Sequence, residues 1–277
     1  MLRDTLCALP NLGTWPCDEI NYIWRYGNAR FPTDELQPQQ ARPEVVAYIR
    51  QQFASIARAQ NVELIVEKTC ANTLRVPFVD TVLPEARYIH IVRDGRDVVA
   101  SAMQRWGAPL NLPYVLRKAR YVPVTDLPFY AGRYLGDRLH KFRSSEDRLG
   151  AWGPRFEGMR EALGTLPLAA VCALQWKRSV DLATEALARL PAERVVTVQY
   201  EAFVADPASH LAVICGAAAI DAKPLDLADV TAVVSARSVG NWRRHLTADQ
   251  VSMVEKYAGD TLDAFNYPRS QLSAATS

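Results

Sequence analysis

Residues 86–101, "ARYIHIVRDGRDVVAS", give the clearest indication of the fold that this chain is expected to adopt. Its first half is a run rich in Ile and Val that is too short for a core helix, and it predicts a buried β-strand. The segment "DVVASAMQRW" at 97–106 has the pattern of a helix and follows after a short turn. Strand, turn and helix in this succession are typical of a βαβ unit, whose strands run parallel.

Similar elements recur on both sides of this stretch. Short apolar runs at 62–68 and 193–203 predict further strands, and helical spacing marks residues 43–60 and 168–191. A closing helix follows Thr247, which is a plausible N-cap with Gln250 three residues later. The sequence therefore predicts an α/β fold with a parallel sheet flanked by helices, and 277 residues are taken by default as one domain over 1–277.

The segment from about 107 to 160 has no sustained period and is rich in Pro, Gly, Arg and Tyr. A stretch this long within a compact domain is more often a binding insertion or lid than an idle loop, and disorder is the alternative. Its aromatic and basic residues are candidates for binding an acceptor such as a sugar or an acidic peptide: Tyr114, Arg117, Lys118, Arg120, Tyr121, Tyr130, Arg133 and Tyr134.

Composition excludes several functional classes. The net charge of +2 gives no overall field that favours nucleic acid or a membrane surface. No apolar run approaches the roughly 18 residues that span a bilayer, and no leader pattern is present, so a cytoplasmic location is expected. The five scattered cysteines predict reduced, mostly buried thiols. The histidines have no ligand spacing, so no metal is expected, and His90 is predicted to be a core residue of its strand.

Polar residues end each of the three predicted strands. Ligands of open parallel sheets bind at the carboxyl ends of strands, where this sequence has Glu67-Lys68-Thr69, Arg93-Asp94 and Tyr200-Glu201. Arg93, with Ser101 eight residues later near a helix start, would suit an isolated phosphate. The alternative is a solvated helix start, in which Arg93, Asp94, Arg96 and Asp97 only form surface ion pairs.

Four segments in order resemble sulfotransferases that use 3′-phosphoadenosine 5′-phosphosulfate (PAPS). "EKT" at 67–69 is similar to the family's strand ending E-K-[TS], and "IVRDGRDVVAS" at 91–101 is similar to its I-x-R-D-x-R-D segment followed by Ser. "YEAFVADP" at 200–207 resembles the Y-E-x-L-x-x-D-P stretch, and "GNWRR" at 240–244 resembles the G-x-W-[RK] stretch. The resemblance implies a P-loop nucleotide-kinase-like fold and PAPS as co-substrate.

Residue roles follow from the resemblance by position. Arg93 and Ser101 would bind the 3′-phosphate of the nucleotide, and Gly240, Trp242 and Arg243 would close over the same side. The alternatives are that Trp242 is a core tryptophan and that Arg243 belongs to a solvated pair.

The opening "MLRDTLCALP" has helical spacing without a preceding cap. It resembles the first helix of the family, which follows a glycine-containing loop that holds the phosphosulfate. On this resemblance we expect the first strand of the sheet and that loop to be missing from the 277 residues.

Cys70 stands where cytosolic small-molecule sulfotransferases have a catalytic His, so that assignment fails here. Glu19 falls where the carbohydrate and tyrosyl-protein branches have a Glu, which implies that Glu19 is the general base, with Asp18 as the adjacent competitor. Lys68 would neutralise charge that develops at the bridging oxygen or sulfuryl group. The alternatives are a helix-cap carboxylate for Glu19 and a strand-end salt bridge for Lys68.

The expected function is thus transfer of a sulfuryl group from PAPS to a hydroxyl of a carbohydrate, peptide or other acceptor, with no nucleic-acid partner and with the oligomeric state open. One alternative is a catalytically inactive nucleotide-binding or interaction protein that lacks the phosphosulfate loop. Another is a P-loop kinase relative, although no G-x-x-x-x-G-K-[ST] occurs in the chain.

Overall fold

The computed structural model describes residues 1–106, 122–123, 126–129, 132, 152–220 and 226–270. The eight aromatic and basic residues proposed to bind an acceptor lie outside the described residues, as does most of the predicted 107–160 insertion. The chain divides into two compact units, a first one of Met1–Glu85 with Trp106–Arg155 and a second one of Ala86–Arg105 with Phe156–Ser277. The single-domain expectation stays a prediction.

The main elements of the first unit are four α-helices and one short parallel strand pair. In chain order these are α1 (Leu2–Leu6), β1 (Leu12–Gly13), α2 (Asn21–Trp24), α3 (Pro43–Gln60), β2 (Leu64–Ile65) and α4 (Val76–Val82). The predicted helix at 43–60 is confirmed. Proline at its first position suits a helix start, and Asn61 ends it in the left-handed conformation at φ 53°.

The strand predicted at 62–68 is shorter than expected and is not buried. Only Leu64 and Ile65 pair with β1, in parallel register with Leu12 and Gly13, and Leu64 is 45% exposed. One more ladder bond runs from the Val66 N–H to the Gly13 carbonyl at 2.8 Å. The partner strand cannot extend far, because the chain reaches Pro16, which has no N–H to donate.

Aromatic rings and a buried ion-pair network form the interior of the first unit. Phe53 packs edge-on against Trp15 and Trp24, with centroid distances of 4.7 and 5.6 Å. Asp34 is 1% exposed and binds the Arg25 guanidinium at 2.7 Å and that of Arg75 at 3.7 Å. A buried carboxylate of this kind requires such cationic partners.

The second unit contains a longer parallel strand pair and eight described α-helices. In chain order these are β3 (Tyr88–Val92), α5 (Gly95–Trp106), α6 (Met159–Thr165), α7 (Leu168–Leu187), β4 (Val195–Gln199), α8 (Tyr200–Ala205), α9 (Pro207–Ala218), α10 (Leu227–Thr231), α11 (Trp242–His245) and α12 (Ala248–Ala264). β3 and β4 pair in parallel from Tyr88 opposite Val195 to Val92 opposite Gln199. The predicted α/β class with parallel strands and flanking helices is confirmed.

Two local predictions in this unit are also confirmed. His90 is buried within β3 beside Phe265, and burial lowers its pKa to about 4, so the ring is neutral at pH 7. Thr247 caps α12: its hydroxyl accepts the Gln250 N–H, and the Gln250 side chain accepts the Thr247 N–H.

The cysteines agree only in part with expectation. All five are free thiols, but only Cys172 and Cys215 are buried, whereas Cys7 and Cys17 are half-buried and Cys70 is exposed. No helix in the described part of the chain combines the length and the apolar character needed to cross a membrane. Within those same residues, no group of three or more His, Cys, Asp or Glu side chains is arranged to hold a metal ion.

Candidate active site

The polar segment after β2 is tied to the segment after β1 by one hydroxyl. The Thr69 side chain is buried, donates to Glu67 Oε1 at 2.5 Å and accepts the N–H of Ile20 at 3.1 Å. Asn72 donates to the other oxygen of Glu67 at 2.8 Å. Burial raises the pKa of Glu67 although the Thr69 hydrogen bond and the Arg75 charge oppose it. Glu19 precedes Ile20 and Lys68 precedes Thr69 in the chain, so the hydrogen bond between Ile20 and Thr69 brings Glu19 and Lys68 close together.

Glu19 and Lys68 are brought together by this arrangement. Lys68 Nζ lies 3.2 Å from Glu19 Oε1, and the backbone N–H of Cys70 donates to the same oxygen at 3.4 Å. Both side chains reach solvent, with exposed fractions of 52% for Lys68 and 28% for Glu19. Desolvation lowers the pKa of Lys68, but its Cys70 and Glu19 neighbours more than offset this and the pKa lies above its ordinary value. The amine is therefore a full cation at pH 7.

The competing carboxylate, Asp18, has a different partner. Its side chain is 64% exposed and lies 3.8 Å from the guanidinium of Arg3, which also donates to the Asp18 carbonyl. Only Glu19 of the two carboxylates hydrogen-bonds the lysine that follows β2 in the described chain. The geometry thus favours Glu19 as the group that acts together with Lys68.

Cys70 lies beside this pair without the character of a nucleophile. Although the residue reaches solvent, desolvation of its sulfur and the nearby Glu19 carboxylate raise its pKa to about 12. A thiol of that pKa is neutral at pH 7, and the thiolate is the reactive form. Cys70 therefore offers a weak hydrogen-bonding group here rather than a reactive one.

In the second unit, Arg93 follows β3 and contacts three groups. Its guanidinium donates to the carbonyl of Ser238, lies 3.4 Å from a carboxylate oxygen of Asp97, and sits over the Tyr200 ring at 4.7 Å. The Tyr200 hydroxyl in turn hydrogen-bonds the Ser238 hydroxyl at 2.7 Å. The side chain of Arg93 remains 23% exposed, so part of its charge faces solvent.

Asp97 joins Arg93 to the segment that contains Gly240 and Trp242. Its two oxygens accept the N–H groups of Gly240 and Trp242, each at 2.8 Å, and its side chain is fully buried. Gly240 has φ +71°, a conformation that favours glycine, and an added Cβ would meet Arg243 at 2.7 Å. A surface ion pair was one alternative that the sequence left open for Asp97, and spacing along the chain does not reveal its burial.

The interpretation of 93–97 as a solvated helix start is wrong. Arg96, Asp94 and Asp97 are all buried, and the Arg96 guanidinium binds Asp94 at 2.8 Å and Glu255 at 3.2 Å. Charges at this depth are matched by partners from distant parts of the chain, which a local spacing rule cannot reveal. The segment is therefore an internal electrostatic network.

Trp242 is 7% exposed and packs with Ala100, Val251 and Leu246. The guanidinium carbons of Arg96 and Arg243 lie 4.5 and 4.4 Å from its ring centroid. This burial agrees with the core-tryptophan interpretation, so any effect of Trp242 on a ligand would be exerted through the backbone of its segment.

Ser101, by contrast, is exposed on α5, one turn after Asp97. Within the described residues, no hydrogen bond or ion pair joins Ser101 to Arg93.

The Y-E segment at 200–201 contacts the residues after β3 through the side chain of Glu201. Its carboxylate accepts the N–H of Asp94 at 3.0 Å and the hydroxyl of Tyr267 at 2.7 Å. Burial, together with the Glu201 hydrogen bond and charge, raises the pKa of Tyr267, which keeps the hydroxyl protonated as a donor. The strand end that presents Arg93 is thus held from two sides.

The comparison with protein-family models agrees with the motifs. A family model described as "Sulfotransferase family" matches residues 18–149 and 151–224, which is most of the chain. No curated protein matches significantly. A solved structure titled "Sulfotransferase Domain from the Curacin Biosynthetic Pathway" is similar over 97% of this chain and 93% of its own, with 15% sequence identity and a TM-score of 0.49.

Proposed function

Because the chain belongs to the sulfotransferase family, we propose that it transfers a sulfuryl group from PAPS to a hydroxyl of an acceptor. The observation that carries this proposal is the 3.2 Å contact between Lys68 Nζ and Glu19 Oε1, which pairs a carboxylate base with a cation. Membership of the carbohydrate or tyrosyl-protein branch and a cytoplasmic location stay predictions.

The two side chains have complementary tasks in such a reaction. Glu19 takes the proton of the acceptor hydroxyl as the new O–S bond forms. The S–O bond to the 5′-phosphate breaks, its electron pair stays on the phosphate oxygen, and adenosine 3′,5′-bisphosphate leaves. Lys68 neutralises the charge that develops on that oxygen. Lys68 also neutralises Glu19 through their 3.2 Å contact, so the donor has to attract Lys68 before Glu19 becomes an effective base.

For the nucleotide, we assign the 3′-phosphate to Arg93, Ser101 and the segment of Gly240, Trp242 and Arg243. The cations of this set are Arg93, whose guanidinium is partly exposed, and Arg243, which is exposed. Guanidinium groups suit phosphates because they donate paired hydrogen bonds in a fork. Trp242 contributes through its backbone, since its ring is buried.

The direct test is transfer of labelled sulfate from PAPS by the full-length protein to pools of carbohydrate, peptide and small hydroxyl acceptors. We expect labelled product in at least one pool and formation of adenosine 3′,5′-bisphosphate. Binding of that nucleotide without any turnover would instead favour the inactive binding module, and absence of both binding and turnover would refute the proposal.

Replacing Lys68 by Met should lower kcat by about 10²–10³-fold, the range seen when one group that stabilises developing charge is removed. Stability should change by no more than about 1 kcal/mol, because Lys68 is half exposed and exposed ion pairs contribute little. Steady-state kinetics and thermal unfolding measure the two effects.

The matched control is Lys256→Met on α12, an exposed lysine outside the proposed site. It should leave kcat unchanged. Equal losses in the two variants would mean that the effect reflects net charge rather than the position of Lys68.

A further inference from the structure

Asp97 is fully buried and touches the groups to which the proposed function assigns the 3′-phosphate. Its carboxylate oxygens accept the Gly240 and Trp242 N–H groups at 2.8 Å each, and one of them lies 3.4 Å from the Arg93 guanidinium. One side chain therefore fixes both the cation and the backbone segment of the proposed phosphate site.

We infer that Asp97 is a positioning residue for the 3′-phosphate of the nucleotide, an inference that rests on the proposed function. Asp97 has no exposed surface with which to touch a ligand. It acts by holding residues 238–242 and Arg93 in the arrangement that binds phosphate.

The other contacts of Arg93 support a preset site. The Ser238 carbonyl and the Tyr200 ring hold the guanidinium from two further directions. Arg93 Nε is buried and has no hydrogen-bond partner among the described residues, so the side chain is placed by the groups around its terminal nitrogens. A cation fixed in this way loses less freedom on binding an anion than a mobile surface arginine would.

Removing the charge of Asp97 tests the inference, because two models predict opposite changes in the affinity for the nucleotide. If Asp97 only competed with phosphate for Arg93, removing its charge would tighten nucleotide binding. If Asp97 positions the site, Asn loses one of the two hydrogen bonds and removes the charge from the other, so the segment is released and binding weakens. The amide of Asn keeps the size of Asp and one acceptor oxygen, so Asp97→Asn separates the two models.

The experiment is calorimetric titration of the wild-type protein and Asp97→Asn with adenosine 3′,5′-bisphosphate and with adenosine 5′-monophosphate, which lacks the 3′-phosphate. We expect the variant to bind the bisphosphate roughly tenfold or more weakly and the monophosphate with nearly unchanged affinity. In turnover, KM for PAPS should rise while kcat at saturating PAPS changes little. A general structural defect would weaken both nucleotides alike.

Two further variants complete the test. Ser238→Ala removes only the hydroxyl that bonds Tyr200, and it should weaken the bisphosphate selectively by roughly two- to tenfold, which keeps the test decisive if Asp97→Asn fails to fold. Asp249→Asn, at an exposed position in the first turn of α12, is the matched control and should bind like the wild type.

The results distinguish a failure of the role of Asp97 from a failure of the proposed 3′-phosphate site. Unchanged or tighter bisphosphate binding by Asp97→Asn overturns the positioning role. Where only Ser238→Ala folds, unchanged binding means that the 238–242 segment does not contribute to the phosphate site, which overturns the role of Asp97 because Asp97 acts through that segment. If the wild-type protein itself does not prefer the bisphosphate to the monophosphate, the assignment of the 3′-phosphate in the proposed function fails instead.

Discussion

Replacing Glu19 by Gln is expected to lower kcat by about 10²–10⁴-fold, the contribution typical of a positioned general base. The amide keeps the shape of the side chain and can still accept the Cys70 N–H, but it cannot take a proton from an acceptor hydroxyl. KM for PAPS should not rise, since Glu19 acts on the acceptor and its charge competes with the donor for Lys68. Steady-state kinetics at varied PAPS and acceptor concentrations measure kcat and KM separately.

Two control variants test whether the loss of kcat is specific to Glu19. Glu63→Gln, at an exposed position just before β2, should leave kcat unchanged. Asp18→Asn should also have little effect, because its carboxylate pairs with Arg3 rather than with Lys68. A large loss in Asp18→Asn together with a small loss in Glu19→Gln would move the role of base to Asp18.

Replacing Asp34 by Asn should destabilise the protein by about 3–5 kcal/mol, the range for breaking a buried ion pair from one side. The Asp34 carboxylate contacts Arg25 at 2.7 Å, and the two side chains are 1% and 2% exposed. The variant leaves the guanidinium charge in a buried place without the carboxylate that neutralises it. Urea unfolding should show a lower midpoint at nearly constant slope.

The pH dependence of this effect has a definite sign. Burial raises the pKa of Asp34, but Arg75 and Arg25 more than offset this and hold it below its ordinary value. A lowered folded-state pKa gives stability that is present above the unfolded value of about 3.9 and is lost as pH falls through the folded value. The difference between wild type and variant should therefore shrink below about pH 4.

Asp18→Asn is the matched control for stability as well, because that carboxylate is 64% exposed and its ion pair should contribute no more than about 1 kcal/mol. Equal destabilisation by the two substitutions would contradict the importance of burial at Asp34.

The sequence predicted most of the elements that depend on interactions between residues close together in the chain. The helix at 43–60, the cap at Thr247 and the buried His90 depend on propensity, capping and alternation, and each is confirmed. The length of β2 could not be predicted in the same way, because a strand extends only as far as its partner. That partner, β1, lies about 50 residues earlier and leads into Pro16.

In the candidate site, too, residues within sequence motifs were predicted and a residue that acts through distant contacts was not. Motifs placed Glu19 and Lys68 in one hypothesis, and the structure places them in contact. Asp97 was not recognised, because its partners Gly240 and Trp242 are more than 140 residues away in the chain. Long-range hydrogen bonds leave no periodic signal, so a buried carboxylate and a surface carboxylate look alike in sequence.

The pairing of Asp34 with Arg155 also bears on how this family can diversify. The Asp34 N–H donates to the Arg155 carbonyl at 2.7 Å, and the Arg155 N–H returns a bond to the Asp34 carboxylate at 2.8 Å. The chain is thus fixed where it returns after residues 107–151. The entropy of closing a loop grows only slowly, by about 0.6 kcal/mol for each doubling of its length. Insertions and deletions in the stretch predicted to bind the acceptor should therefore be tolerated, which lets acceptor preference evolve separately from stability.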